Sequence, residues 1–252
     1  MNPFRKRLLH RTALVLFLAV GLAGAAAAQA DPESRFAAGL MHLREGRADM
    51  AIDEFKKAIK LDPKNPYFYK GLGQALAQKQ KFADATEAFK KALELNPYYT
   101  DVRNDLGSAL ILAGNREEGK KEFLAAFNDP TNPTPEISAR NLGEAFLEEK
   151  NYGEAANWFR TSVNRHKSYA DPYLGLADAL VGLGRVEEAI AQLEIGAKEA
   201  PENPGLLLSL GQLYNRVGRF KEARTCLEGA LKKDPGGPSG RRAGELLKEL
   251  PK

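Results

Sequence analysis

The chain between residues 66 and 97 reads PYFYKGLGQALAQKQKFADATEAFKKALELNP, and this stretch contains the pattern that decides the fold. Small residues stand at Gly73, Ala85 and Ala92, Phe89 lies between the last two, and Pro97 closes the pattern. The pattern recurs with a period of 34 residues, which lengthens to 36 once, and each copy is marked by a small residue: Gly39, Gly73, Gly107, Gly143, Ala177 and Gly211. A fixed period of this length is the signature of a repeat architecture.

Each copy of the pattern predicts two helices. Apolar residues recur at intervals of three and four, as at Leu72 and Leu76 and again at Phe82, Ala85 and Phe89, which gives one apolar stripe on each helix. The first helix is expected to end at a glycine that tolerates positive φ, as at Gly46, Gly114, Gly184 and Gly218. The second is expected to end before a proline, because the ring removes a backbone donor, as at Pro63, Pro97, Pro201 and Pro235.

The helix pairs are expected to stack, because one pair cannot bury its apolar stripes alone. The small residues leave room for close helix packing, and large rings are expected to fill the space between neighbouring pairs, at Phe55, Phe89, Phe123 and Phe159. The pattern resembles the tetratricopeptide repeat family, with six copies over residues 31–235. The resemblance implies an all-α fold, a right-handed superhelical solenoid of six TPR helical hairpins. Residues 236–252 are expected to add a short hinge and a capping helix over residues 241–250.

The first thirty residues have the composition of an export signal. A basic segment ends at Arg11, an apolar segment covers residues 12–28, and small residues flank Gln29. This order predicts a secretory signal peptide over residues 1–30, cleaved before Asp31, and a periplasmic protein. The uncharged stretch of residues 12–30 is close to the roughly 20 residues that span a bilayer, so an uncleaved inner-membrane anchor is the alternative. The membrane is expected to be contacted only through this segment, if it is uncleaved.

The charge balance argues against nucleic acid as a partner. The chain has 37 Lys and Arg against 33 Asp and Glu, and the excess lies in the first thirty residues, which contain four basic residues and no acid. From Asp31 onward the two signs are equal in number. Affinity for a phosphate backbone grows with the number of cations set against it, so no nucleic-acid interface is predicted.

Candidate chemistry is sparse, and the sequence predicts no enzyme and no cofactor. Cys226, His166 and His42 lie in the sixth, fourth and first repeats, and a repeat unit contacts only its neighbours, so no Cys–His dyad is expected. The histidines and the cysteine do not have the spacing of metal ligands. The Gly-x-Gly pairs that begin at Gly71 and Gly182 lie within the helical repeats, so no phosphate-binding loop is predicted.

The resemblance to tetratricopeptide repeats implies a binding groove lined by the first helix of each repeat. In this family the second, fifth, ninth and twelfth places of a repeat face the groove. These places give a predicted partner-binding set: Phe36, Leu40, Leu43, Tyr67, Lys70, Gln74, Asn104, Ser108, Arg140, Glu144, Leu174, Asp178, Leu208, Gln212 and Asn215. For Phe36, Leu40 and Leu43 the alternative is that they pack beneath the second repeat, because apolar residues at helical spacing usually belong to a core.

A narrower resemblance is found where the period lengthens. Residues 127–136 read FNDPTNPTPE and are followed by Asn141, Leu142 and Gly143. This junction looks like that of the six-repeat pilotins of type IV pilus systems, which help the outer-membrane secretin to assemble. Those pilotins are typically lipoproteins, whereas this chain has no cysteine after its apolar segment. The resemblance implies a non-catalytic exported adaptor for a secretin or pilus component. The alternative is a scaffold subunit of another cell-envelope enzyme complex.

Overall fold

The computed structural model describes residues 31–251, and within them all regular structure is helical, with thirteen helices and no strand. The predicted signal peptide lies outside the described residues. Across residues 31–251, no helix combines the length and the hydropathy that a membrane crossing requires. The prediction of an all-α fold built from helical hairpins is confirmed.

The helices run in chain order as α1 (Pro32–Arg44), α2 (Ala48–Leu61), α3 (Pro66–Gln78), α4 (Phe82–Leu95), α5 (Thr100–Leu112), α6 (Arg116–Asn128), α7 (Pro135–Glu148), α8 (Tyr152–Arg165), α9 (Asp171–Gly182), α10 (Val186–Glu199), α11 (Pro204–Arg216), α12 (Phe220–Lys233) and α13 (Pro238–Glu249). The chain divides after Ala113 into two compact units. The first unit contains α1–α5 and the second contains α6–α13.

In the first unit, the ring of Phe55 fills the space that glycines leave open. A Cβ atom at Gly39 would lie 2.6 Å from Cε1 of this ring, and one at Gly71 would lie 2.7 Å from the same atom. Gly39 belongs to the same repeat as Phe55, and Gly71 belongs to the next repeat. Phe55 is fully buried, so the ring joins two hairpins through contacts that any larger side chain at the glycines would prevent.

The second unit repeats this arrangement with Phe159. A Cβ atom at Gly143 would lie 2.8 Å from its ring, and one at Gly175 only 2.3 Å from it. In the last hairpin, Leu227 takes the place of the ring and packs against Gly211. The predicted pairing of small residues with a bulky residue is therefore confirmed in both units.

The turns inside the hairpins follow the predicted glycines, and two hairpins achieve the same turn without one. Gly46, Gly114, Gly184 and Gly218 all have positive φ, between 74° and 94°. Gln80 and Lys150 stand at the equivalent place of the second and fourth hairpins, with φ of 58° and 59°. Each closes its helix in the same way, since Lys150 N donates to the carbonyl of Leu147, three residues back.

The proline-bearing segment before α7 is fixed by a buried side chain. Asn132 donates from Nδ2 to the carbonyl of Ala126 at 2.7 Å and to Oγ of Ser138 at 3.3 Å, and its Oδ1 accepts the backbone N–H of Thr134 at 2.9 Å. Asn132 and Ser138 are both buried. This network satisfies the polar groups that the turn would otherwise leave unpaired, so the segment holds one conformation.

The last helix begins earlier than the sequence analysis predicts. α13 starts at Pro238 rather than at residue 241, because Oδ2 of Asp234 accepts the backbone N–H groups of Ser239 at 3.0 Å and Gly240 at 3.3 Å. The predicted hinge is therefore partly helical. Ala243 and Leu246 are buried against the preceding helices, so α13 covers the apolar end of the second unit.

Candidate partner-binding faces

The first helices of successive hairpins contact one another in each unit and present two faces. In the first unit α1 contacts α3, and α3 contacts α5; in the second, α7 contacts α9, and α9 contacts α11. We call these surfaces the α1–α3–α5 face and the α7–α9–α11 face. Every residue of the predicted partner-binding set lies on one of these helices.

Part of the predicted set belongs to the core of the first unit. The ring of Phe36 lies 5.7 Å from that of Phe55 and 5.2 Å from that of Phe68, measured between centroids. Leu43 is half-buried against the same cluster. Leu40, by contrast, is 38% exposed. For Phe36 and Leu43 the structure thus favours the alternative, packing beneath the second repeat.

An aromatic and cationic cluster lies on α3 and at the start of α5. Tyr67 is 54% exposed and meets Tyr99 edge-on, with ring centroids 5.4 Å apart. Nζ of Lys70 lies 4.9 Å from the centre of the Tyr99 ring and 3.8 Å from Oδ2 of Asp101. Burial raises the pKa of Tyr99, which keeps its hydroxyl protonated. Lys70 is therefore oriented by a ring and a carboxylate while its charge still reaches the surface.

Polar side chains continue this face toward the end of α5. Gln74 donates from Nε2 to Oδ2 of Asp105 at 3.0 Å, and Oγ of Ser108 donates to the carbonyl of Asn104 at 3.2 Å. Burial raises the pKa of Asp105, although the bond from Gln74 acts in the opposite sense. Asn104 is buried, and its Oδ1 has no hydrogen-bond partner within residues 31–251.

On the α7–α9–α11 face, Arg140 is held by its own helix. It donates from Nη1 to Glu144, one turn along, and from Nη2 to Oδ1 of Asn141 at 2.8 Å. Its Nε is buried and has no acceptor in the part of the chain that the structure describes. Half of the Glu144 side chain is exposed, yet the surrounding helices desolvate it enough to raise its pKa despite the neighbouring guanidinium.

Acidic and apolar residues alternate along α9 and continue onto α11. Asp171 and Asp178 are exposed, and Leu174 lies half-buried between them, one helical turn from each. Cδ1 of Leu174 lies 3.7 Å from where a Cβ at Gly205 of α11 would stand. Desolvation raises the pKa of Asp178. On α11, Leu208 and Asn215 are half-buried and Gln212 is exposed.

Four residues of these faces were absent from the predicted set. Asp101 and Asp171 occupy the second place of their repeats, the place that Tyr67 occupies in its own, so the repeat spacing alone was enough to find them. Tyr99 stands one residue before α5 and contacts Lys70 on α3. Tyr169 stands two residues before α9. Both stand eight residues before the small residue of their repeat, Gly107 or Ala177, but this place is outside the four that the repeat family assigns to the groove.

The candidate chemical groups are dispersed within residues 31–251. His42, His166 and Cys226 lie on or next to α1, α8 and α12, and no group of three or more His, Cys, Asp or Glu is placed to hold a metal ion there. Cys226 is half-buried against the apolar cluster of the second unit, and burial raises the pKa of its thiol. A raised pKa keeps the thiol protonated and weakly nucleophilic.

Stacked helical hairpins with a 34-residue period define a repeat protein of the kind that binds other polypeptides. One family model, described as tetratricopeptide repeat, matches residues 18–66, 36–100 and 174–238. A second model with the same description matches residues 76–139 and 146–200. The chain belongs to the tetratricopeptide repeat family, whose members are typically non-catalytic scaffolds for protein interactions.

One known relative matches this chain over most of its own length, and another matches it over one region only. The Type IV pilus assembly protein PilF of Pseudomonas aeruginosa is 28% identical over 182 residues, which cover 68% of this chain and 72% of PilF. A CTR9 homolog of Arabidopsis thaliana is 24% identical over 215 residues, which cover 80% of this chain but only 19% of the plant protein. The match to the plant protein is therefore to its repeat region alone.

Solved structures with the same fold include two pilus proteins. The structure of the type IV pilus biogenesis factor PilW has a TM-score of 0.68 and 20% sequence identity, with 83% of this chain and 96% of PilW covered. That of Pseudomonas aeruginosa PilF has a TM-score of 0.66 and 22% identity, with 86% and 97% covered. A third, YrrB, is described as a TPR protein with an unusual peptide-binding site and has a TM-score of 0.52. These likenesses concern the fold.

Proposed function

We propose that this protein is a non-catalytic exported adaptor that binds a segment of a protein partner on its first-helix faces and acts in type IV pilus or secretin assembly. The observation that carries the proposal is that each of the two faces is formed by side chains from three successive first helices. Exposed Leu40 and Tyr67 offer apolar contact, while Lys70 and Gln74 offer polar groups beside them. Such a mixture suits an extended or helical segment anchored by a few side chains.

Pilus assembly is favoured over other adaptor roles by the extent of the likeness to pilus proteins. PilF of Pseudomonas aeruginosa is matched in sequence over 72% of its own length, whereas the plant relative is matched over a fifth of its own. The proline-bearing segment fixed by Asn132 stands where the sequence resembles the pilotin junction. Export, which places the protein in the periplasm with the N-terminal segment either removed or retained as an anchor, rests on the composition of residues 1–30.

The partner is identified by cross-linking in envelope extracts. The full chain is compared with a double variant, Tyr67→Ala with Lys70→Ala, and with a matched control that loses the same residue types elsewhere, Tyr98→Ala with Lys90→Ala. Tyr98 is 73% exposed in a loop, and Lys90 lies exposed on α4, outside the face. We expect a secretin or pilus component to be captured by the wild type and the control, and to be lost with the face variant.

Two results would count against the proposal. Capture of a pilus component that is indifferent to the face variant would remove the faces as its binding site. Capture of a cell-wall or redox enzyme complex in place of any pilus component would favour a second candidate, a scaffold subunit of an envelope enzyme. That candidate is supported by the 26% identity with Cellulose synthase operon protein C of Pseudomonas fluorescens, of which the chain covers 14%.

A further inference from the structure

We infer that the α7–α9–α11 face binds a basic segment of the partner, in which two lysine or arginine side chains meet Asp171 and Asp178 and an apolar side chain between them meets Leu174 and Leu208. The inference rests on the proposed function, because it specifies the chemistry of the segment that the adaptor binds. It uses the second unit alone.

The charges on this face are unbalanced. Glu144, Asp171 and Asp178 carry three negative charges, and Arg140 is the one cation that the described contacts place against any of them, bound to Glu144. Asp171 adds to the negative field at Glu144, against the attraction of Arg140. Asp178 has no ion pair among the described residues, although the protein desolvates its carboxylate. A cation from a partner would stabilise both aspartates by opposite charge, and Asp178 more strongly, because water is partly excluded from its carboxylate.

The apolar part of the face lies between these charges. Leu174 is one turn from Asp171 and one turn from Asp178, and its contact with α11 at Gly205 brings Leu208 to the same surface. Both leucines are half-buried and pack partly against the apolar core of the second unit. Seven residues of helix separate the two aspartates, which corresponds to about 10 Å along the axis. The face therefore matches a segment whose basic side chains are separated by about that distance and flank an apolar one, and it repels an acidic segment.

The test uses a phage library of random 12-residue peptides selected on the full-length protein at about 0.1 M salt, where surface charges still act over about 10 Å. Three proteins are compared: the wild type, the double variant Asp171→Asn with Asp178→Asn, and the matched control Glu154→Gln with Glu228→Gln. The control also removes two exposed acids from the second unit, but from α8 and α12, which lie outside the face. Circular dichroism verifies that each variant is folded.

We expect the wild type and the control to enrich peptides in lysine and arginine, and the face variant to lose this enrichment. A recovered peptide followed by fluorescence anisotropy should bind about threefold to tenfold more weakly to the face variant and less than twofold more weakly to the control. The inference is overturned if no peptide is recovered, if the recovered peptides are not basic, or if the two double variants lose binding equally, which would indicate general charge attraction.

The same variants separate this inference from the proposed function. If the envelope partner is still captured by the protein with Asp171→Asn and Asp178→Asn, but not by the Tyr67 and Lys70 variant, the adaptor function stands and the basic-segment inference falls. If the random-library result is as expected while no pilus component is captured by the wild type, the face binds basic segments and the pilus assignment falls.

Discussion

Gln74 and Asp105 join two first helices through a hydrogen bond of 3.0 Å from Nε2 to Oδ2. The bond holds α3 against α5 on the α1–α3–α5 face, beside the contacts of Lys70 and the edge-on contact of Tyr67 with Tyr99. It also keeps a carboxylate in a place where water reaches it poorly. Burial is the larger effect, so the pKa of Asp105 is raised.

The raised pKa of Asp105 predicts a pH dependence of stability with a defined sign. The folded state holds the proton to a higher pH than the unfolded chain, whose Asp pKa is near 3.8. The contribution of Asp105 to the free energy of unfolding is therefore largest below that value and decreases as the pH rises through the raised pKa. Asp105→Asn keeps an acceptor for Gln74 and cannot ionise. Its stability relative to the wild type should increase as the pH rises from 3.5 to 7.

Urea unfolding followed by circular dichroism at several pH values measures this difference. Asp53→Asn serves as the control, because Asp53 is exposed on α2. A difference between Asp105→Asn and the wild type that stays constant, or that shrinks as the pH rises, would contradict the assignment of burial as the dominant effect.

Replacing Gly175 by alanine should destabilise the second unit. The new Cβ would lie 2.3 Å from Cζ of Phe159, which is fully buried and cannot move without displacing its neighbours. Overpacking of this kind typically costs about 1–3 kcal/mol. Gly153→Ala is the control, since a Cβ there meets nothing within 4 Å and alanine favours the helix. Adding Phe159→Leu to Gly175→Ala should restore part of the lost stability in urea unfolding, and its failure to do so would exclude a steric origin.

The hairpins could be predicted because their determinants recur at fixed spacing. Gly39, Phe55 and Gly71 each satisfy a local rule, and the rules agree on one packing arrangement. The binding faces were less predictable. Gln74 meets Asp105 thirty-one residues along the chain, and the depth at which this pair lies depends on how two hairpins pack, which no single repeat encodes. Phe36 has the spacing of a face residue but packs in the core, because the repeat pattern does not specify the orientation of a side chain in the first repeat.

The turn at Lys150 shows a second limit of the repeat pattern and gives a prediction. Its φ of 59° is costly for a residue with a Cβ, and glycine would remove that strain. Lys150→Gly is expected to raise the free energy of unfolding by about 0.5–1 kcal/mol, since the gain exceeds the larger entropy of glycine in the unfolded chain. Gly184→Ala, at the equivalent turn with φ of 77°, should lower it by about 1 kcal/mol. Opposite signs in urea unfolding are the required outcome.

The buried phenol of Tyr214 gives the last prediction. Tyr214 is 5% exposed, its hydroxyl donates to Oε1 of Glu194, and burial together with that carboxylate raises its pKa to about 12. The folded protein thus keeps a proton that an unfolded tyrosine, with a pKa near 10, loses. The stability that Tyr214 contributes is complete below pH 10 and is lost as the pH rises toward 12, by about 2–3 kcal/mol.

Tyr214→Phe removes the ionisable hydroxyl and should therefore destabilise the protein at pH 9 more than at pH 12, relative to the wild type. Urea unfolding across this range measures the difference, and the absorbance of ionised tyrosine near 295 nm follows the phenol directly. Tyr98→Phe is the matched control, because Tyr98 is 73% exposed and the loss of its hydroxyl should leave the pH dependence of unfolding unchanged. If the wild type and Tyr214→Phe lose stability in parallel between pH 10 and 12, the pKa of Tyr214 is not raised in the folded protein, and the prediction is wrong.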